Sequence, residues 1–227
     1  MIDVDWKNAG SLFINGDCMD YMKTMPDKCV ELALVDPPYG IETRGHAQDR
    51  FRLGMQLSTV NDAKPDDNYF AELFRVSRNQ IIWGYNHLSD LLPKCREFIF
   101  WYKHQPVVTF ADGELAWTSF QKTARCFDYP YFGGANTEPD KIHPTQKPIA
   151  LYKWLLSNYA HPGDKILDTH VGSASSLIAC HQMGFEYWGF ELDADYYKAA
   201  SERLERAKAQ VGLLDILPEE KPEQMRL

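Results

Sequence analysis

Residues 165–193 read KILDTHVGSASSLIACHQMGFEYWGFELD, and they decide the fold. Lys165–Asp168 is apolar enough for a buried strand, Ser173–Met183 has helical composition, and Tyr187–Phe190 is a second buried strand. A long helix over Ala194–Gln210 follows, so the stretch reads as a βαβ unit. Small residues fill the turn after Asp168, where Gly172 and Ser173 let a ligand approach the free N–H groups of a helix N-terminus. Nineteen residues after Gly172, Glu191 ends the second strand, a place from which an acid can accept hydrogen bonds from both ribose hydroxyls. GxGxxG is missing, so an adenosine-bearing ligand without a pyrophosphate suits the unit better than a dinucleotide. A plain βαβ turn with a solvated acid at its strand end explains this unit equally well by itself.

Outward from there, Val30–Val35 is an aliphatic strand stopped by Asp36-Pro37-Pro38-Tyr39, where two prolines forbid further strand or helix. Asp17–Met25 has apolar residues at helical spacing. Asn68–Arg78 reads as an amphipathic helix, Gln80–Gly84 as a strand, Leu88–Leu92 as a short helix and Phe98–Tyr102 as a strand. Strand-like pieces occur at Glu114–Trp117 and Arg125–Tyr129, and a helix at Ile149–Tyr159. Residues 41–68 form a long polar loop carrying Arg44, His46, Arg50 and Arg52, and the end beyond residue 210 reads as a flexible tail. Strands alternating with helices imply an α/β fold with a doubly wound, mostly parallel sheet.

A chain of 227 residues, 44% hydrophobic and 13% aromatic, suits one folded domain and excludes disorder. No apolar run is long enough for a membrane span, and MIDVDWKNAG lacks the pattern of a secretion signal, so the cytoplasm is the expected location. Five scattered cysteines with no CxxC pair read as reduced thiols without a metal site. His87, His104, His161 and His181 lack metal spacing and read as surface or capping residues, while Trp83, Trp101, Trp117 and Trp154 read as core. The net charge of −8 argues against a surface that grips nucleic acid all over. Residues 41–130 nevertheless balance 11 basic against 11 acidic side chains, which leaves room for one positive face.

The tetrapeptide Asp36-Pro37-Pro38-Tyr39 is the sharper chemical signal. An amine on an aromatic base is a poor nucleophile because its lone pair is delocalised into the ring. A carboxylate and a rigidly held carbonyl can each accept one N–H, which draws the nitrogen towards sp³ and aims its lone pair at a methyl donor. Two successive prolines fix the Pro37 carbonyl for that task, and Tyr39 offers a flat face to a base taken out of its stack. The hexapeptide His143-Pro144-Thr145-Gln146-Lys147-Pro148 opens a helix, with Thr145 and Gln146 placed to cap it or to bind a carboxylate.

Taken in order, GDCMDYM (16–22), LVDPPYG (34–40), IHPTQKP (142–148), ILDTHVGSASS (166–176) and GFELDADYY (189–197) resemble the beta-class amino-methyltransferases of DNA, in which the catalytic motif precedes the cofactor motif. The resemblance covers roughly residues 12–206 and leans towards small phage-type or orphan adenine methyltransferases. It implies a Rossmann-like methyltransferase fold with S-adenosylmethionine as cofactor and DNA as partner, without metal or membrane. It also implies a catalytic half over about 12–83, a target-recognition insertion over about 84–140 together with loop 41–68, and a cofactor half over about 141–210. Asp36, Pro37, Pro38 and Tyr39 match its catalytic motif. Asp168, Gly172, Ser173 and Glu191 match the cofactor loop and its ribose acid. Asp17 and Cys18 match the element along the cofactor's adenine, and Thr145, Gln146 and Lys147 the element near its methionine. A recognition region this small is compatible with a homodimer.

Two departures stand out: Ala174 where relatives usually carry a second glycine, and Tyr85 where glycine is frequent. The added methyl at Ala174 is harmless if the backbone there is helical and weakens cofactor binding if φ is positive. Asp36 favours adenine N6 over cytosine N4 as the acceptor. N4-cytosine methylation on the same scaffold, RNA adenine methylation and a non-catalytic DNA-binding relative are the alternatives.

Overall fold

The computed structural model describes residues 3–41, 63–107, 111–132, 136, 138, 141–143 and 145–214. Arg44, His46, Arg50, Arg52, Pro144 and the segment 215–227 lie outside them. The first half of the chain runs β1 (Leu12–Asn15), α1 (Cys18–Met22), β2 (Val30–Val35), α2 (Asp67–Val76), β3 (Ser77–Trp83), α3 (Tyr85–Leu88) and β4 (Phe98–Tyr102). The second half runs β5 (Gly113–Thr118), β6 (Arg125–Asp128), α4 (Ile149–Tyr159), β7 (Lys165–Asp168), α5 (Ser175–Met183), β8 (Glu186–Glu191) and α6 (Ala194–Leu214).

Among the described residues, eight strands join one sheet in the order β1-β8-β7-β2-β3-β5-β4-β6. Of these, β5 alone runs against its neighbours, pairing antiparallel with β3 and β4. The sheet is buried on both faces, so its central strands carry apolar side chains at successive positions. Along β2, Leu32 and Leu34 enter one core with Leu151, Leu155, Leu177 and Ile178 of α4 and α5. Ala33 and Val35 enter the other with Tyr21, Met22, Phe70 and Leu73 of α1 and α2. Trp83 and Trp101 lie in the first core and Trp117 in the second, while Trp154 is partly buried against the first.

Several sequence boundaries are corrected. β1 is an addition to the expected elements; its four residues carry no periodic signal, and its edge pairing with β8, Leu12 against Trp188, is set by tertiary contact. α2 ends at Val76 rather than Arg78, because Ser77 turns extended and β3 begins at once. The short helix near Leu88 ends there rather than starting, since it is opened by Gly84 at φ 80°. α5 begins at Ser175, two residues later than expected, and α6 runs on to Leu214.

Glu97, fully buried just before β4, accepts hydrogen bonds from the Tyr159 hydroxyl at 2.8 Å and the Lys122 N–H at 2.9 Å, tying the start of β4 to the end of α4. Burial, then the adjoining Glu97, raises the Tyr159 hydroxyl pKa, so it remains a donor. Tyr159→Phe leaves a buried carboxylate short of one donor and should cost about 1–3 kcal/mol, read as a lower denaturation midpoint with an unchanged slope.

Candidate active site

In a parallel sheet the carboxyl ends of the strands share one edge, and loops there are the ones free to differ in chemistry. Here that edge carries Asp36 after β2, Gly84 after β3, Asp168 ending β7, Glu191 ending β8, and Gly16-Asp17-Cys18 after β1. Because β5 is reversed, its first residues, Gly113 and Glu114, arrive at the same edge, facing the end of β4. A cavity of about 970 Å³ opens there. Twelve of the thirteen residues singled out from the sequence line it; the thirteenth, Asp168, sits behind the wall at 2% exposure.

The carboxylate of Asp36 is held from two sides. Its Oδ1 accepts the Tyr39 hydroxyl and its Oδ2 accepts the Lys147 ammonium. Lys147, its side chain 3% exposed, also lies 3.1 Å from Glu114, which in turn accepts from Lys103. Two carboxylates and two ammonium groups thus alternate, which offsets the cost of bringing charge out of water. Burial acts to raise the Glu114 pKa, but the Lys147 and Lys103 ammonium groups outweigh it and hold the carboxyl down at about 2. Burial likewise opposes the charge on Lys147, and Asp36 with Glu114 overcomes it, so the Lys147 pKa is raised. The Tyr39 hydroxyl is pushed well up by burial and then by Asp36, so it remains a donor to that carboxylate at neutral pH.

The ring of Tyr39 lies close to Gly84, where an added Cβ would come within 2.1 Å of it. It also stacks with His87, centroids 5.2 Å apart and planes 15° from parallel. His87, expected at the surface or in a cap, therefore stands in the cavity wall beside Tyr39. Lys147, expected beside the cofactor's methionine end, is engaged with Asp36 and Glu114.

The loop between β7 and α5 makes two left-handed residues, Gly172 at φ 55° and Ala174 at φ 62°. Of the two alternatives for Ala174, the positive-φ one is found: its Cβ is carried in a conformation that costs an L-residue about 1–2 kcal/mol. The Gly172 N–H donates to Glu191 Oε2 at 2.8 Å and the Asp193 N–H to Oε1 at 2.9 Å, which fixes the Glu191 carboxylate on the cavity wall. Burial raises its pKa against those two N–H contacts. Asp168 accepts from the Ser176 hydroxyl and from the His170 N–H at 3.0 Å, stitching the loop from beneath. Burial pushes its carboxyl up to about 7 despite both contacts. Across the cavity, Asp17 caps α1 by accepting the Met19 N–H at 2.8 Å. Burial pushes the adjoining Cys18 thiol up to about 12, which leaves it packing rather than reactive.

The segment before α4 departs from its sequence reading. Pro148 is the N-cap residue and has no side-chain acceptor to offer. Thr145 instead meets His143 Nδ1 at 3.1 Å, and the buried Gln146 accepts the Ile142 N–H and donates to Glu138. Glu138 does the capping from outside, accepting the Ile149 N–H at 2.8 Å. The sequence assigned no role to Glu114 or Gly84, though the segments 82–86 and 110–117 that hold them resemble pieces of the same beta-class family, and it passed over Lys103, Glu138 and Arg203. Of these, Arg203 leaves a usable trace, since it falls on the apolar stripe Tyr196, Ala200, Leu204 and Ala207 of α6, where a charge is anomalous.

Comparison with known proteins agrees with this geometry. Residues 75–202 match the N6_N4_Mtase family model, described as DNA methylase. "Putative methylase YubD" of Escherichia coli K12 is 27% identical over 217 residues, 86% of this chain and 90% of that protein. Type II methyltransferase M.HinfI of Haemophilus influenzae is 25% identical, over 90% of this chain and 71% of that one. Among solved structures, TTHA0409 of Thermus thermophilus, crystallised with S-adenosyl-L-methionine, aligns at a TM-score of 0.56 and 20% identity, covering 88% of this chain and 96% of its own. The cytosine-N4-specific PvuII DNA methyltransferase aligns at 0.57 and 12%, covering 89% and 93%. With more than half of its length matched by one family model, the chain belongs to the N6/N4 family of DNA methylases.

Proposed function

We propose that this protein transfers a methyl group from S-adenosylmethionine to the N6 amine of adenine in DNA. The observation that carries the reading is Asp36, set by two prolines at a strand end and facing, across one cavity, a carboxylate suited to a ribose. The cavity's groups fit the cofactor. Glu191 presents a fixed carboxylate for a diol, and with Asp17 and Asp193 it gives the wall an acidic character that suits a cation. S-adenosylmethionine, when bound, supplies an electrophilic methyl that needs no metal.

The residues of this chain then have limited tasks. Asp36 accepts one N–H of the target amine; each of its oxygens keeps a second lone pair beside Tyr39 and Lys147. The Pro37 carbonyl accepts the other N–H. Lys147 neutralises Asp36 while it waits, and Tyr39, braced by Gly84 and His87, shapes the slot for a flipped base. Catalysis is positioning in a site with little water. The segments 41–68 and 84–140 carry target recognition, between a catalytic half over 12–83 and a cofactor half over 141–210.

The direct test is transfer from isotopically labelled S-adenosylmethionine to unmethylated genomic DNA, with mass spectrometry of the nucleosides. Labelled N6-methyladenine supports the proposal; N4-methylcytosine keeps the chemistry and changes the base; no label with folded protein overturns it. Asp36→Ala should abolish turnover and leave cofactor affinity nearly unchanged, so a variant retaining most of its rate removes Asp36 from the chemistry. Glu191→Ala should weaken cofactor binding by about 1–3 kcal/mol, measured by titration calorimetry. A pH signature follows from Asp168, whose folded pKa of about 7 lies well above the ordinary aspartate value of 3.8. Between about pH 4 and 7 the folded protein holds a proton that the unfolded chain has lost, so this group's contribution weakens as pH rises through that window. Asp168→Asn should therefore stabilise the unliganded protein by a margin growing to about 1–3 kcal/mol at pH 8; equal melting-point gains at pH 4 and pH 8 contradict the assignment.

A further inference from the structure

We infer that Arg203 and Glu138 are positioning residues that hold the cofactor loop in a conformation its own sequence resists, and that they lock it to the segment before α4. Arg203 stands on α6 at 2% exposure, and its guanidinium meets partners 28, 30 and 65 residues away in the chain. Its Nη1 donates to the Ser173 carbonyl at 2.6 Å and to the Ser175 hydroxyl at 3.0 Å. Those two residues flank Ala174, the left-handed residue that opens α5. The guanidinium therefore grips the chain on both sides of the position in this loop where a side chain opposes the backbone. Its other arm, Nη2, pairs with Glu138. Glu138 also accepts from Gln146 Nε2 at 2.9 Å and from the Ile149 N–H at 2.8 Å, the group that Pro148 cannot cap.

The outcome is one continuous chain of hydrogen bonds, most of them charge-assisted, from the loop around Gly172 to the segment carrying Gln146 and Lys147. These two segments form part of the cavity wall, and the tie adds a tertiary restraint to the local bonds of each, the Ala174 N–H to the Val171 carbonyl and the Gln146 N–H to the His143 carbonyl, both at 3.1 Å. Arginine suits the task because its planar fork can serve the loop and Glu138 at once, whereas a lysine offers a single point of attachment. An apolar residue at 203 would satisfy the stripe of α6 and leave Ala174 free to relax towards a right-handed conformation, turning the Ser173 carbonyl and the Gly172 N–H that steadies Glu191.

This inference rests on the S-adenosylmethionine reading, and the experiment separates the two. Cofactor affinity of the full chain is measured by titration calorimetry for wild type, Arg203→Lys, Glu138→Gln, Ala174→Gly and the double variant Arg203→Lys with Ala174→Gly, each with its unliganded melting temperature. Arg203→Lys should raise the dissociation constant at least tenfold, and Glu138→Gln, a gentler change should the first fail to fold, at least threefold. Glycine at 174 adopts the left-handed conformation unaided, so the double variant should recover most of the affinity lost in Arg203→Lys. At saturating cofactor, kcat should stay within about twofold of wild type while KM for the cofactor rises. Melting temperatures that fall with dissociation constants unchanged, or a double variant that binds no better than Arg203→Lys, overturn the inference by reducing the pair to ordinary packing. A wild-type protein that binds no S-adenosylmethionine overturns the methyl-transfer reading itself, and this inference with it.

Discussion

A carboxylate held in a confined, half-buried slot needs a counter-charge close by, yet not one that consumes all its lone pairs. The contact between Lys147 and Asp36 meets both demands, and much of the site is arranged around it. Lys147 is buried, so it needs a second acid, Glu114, and Glu114 needs Lys103. These four groups come from the end of β2, from the end of β4, from the start of β5 and from the approach to α4, and they meet only because β5 is reversed in an otherwise parallel arrangement. A reversed strand starts where its neighbours finish, and that is how residue 114 reaches an edge built from strand ends.

The parts of this molecule legible in the sequence are those whose cause is local. The βαβ unit over 165–193 announces itself through an apolar run, a small-residue turn and a second apolar run. Asp36-Pro37-Pro38-Tyr39 is readable because two prolines have few uses at the end of a buried strand. β1 is not readable, since a four-residue strand at a sheet edge owes its existence to β8, far downstream in the chain. Glu114 and Glu138 are invisible for the same reason. A single acid in a loop or strand end says nothing of which cation or N–H it will meet.

Errors of role have a physical explanation as well. Thr145 and Gln146 look like helix-capping residues when counted from Pro148, but a distant carboxylate does the capping and releases both for other partners. Ala174 stands just before the helix rather than within it, so the methyl that a helical backbone would tolerate is carried in a left-handed conformation. In both cases propensity describes the isolated segment, and a side chain from another element decides the outcome.

The strand order also constrains how the protein is made. β2 leads into Asp36, yet it lies between β3 and β7, and its Leu32 pairs with Ile166. β1, earlier still, waits for Trp188. A nascent chain emerging from the ribosome therefore has β2 exposed on one side until more than two thirds of the polypeptide has been synthesised, and the sheet centre closes only through contacts of long sequence separation. Such closure is slow, and an open apolar edge invites association in the interval. The same order has a protective side. A chain stalled before residue 147 holds Asp36 but lacks Lys147, Asp168 and Glu191, so the cavity wall is complete only after β8, the last strand, has been made.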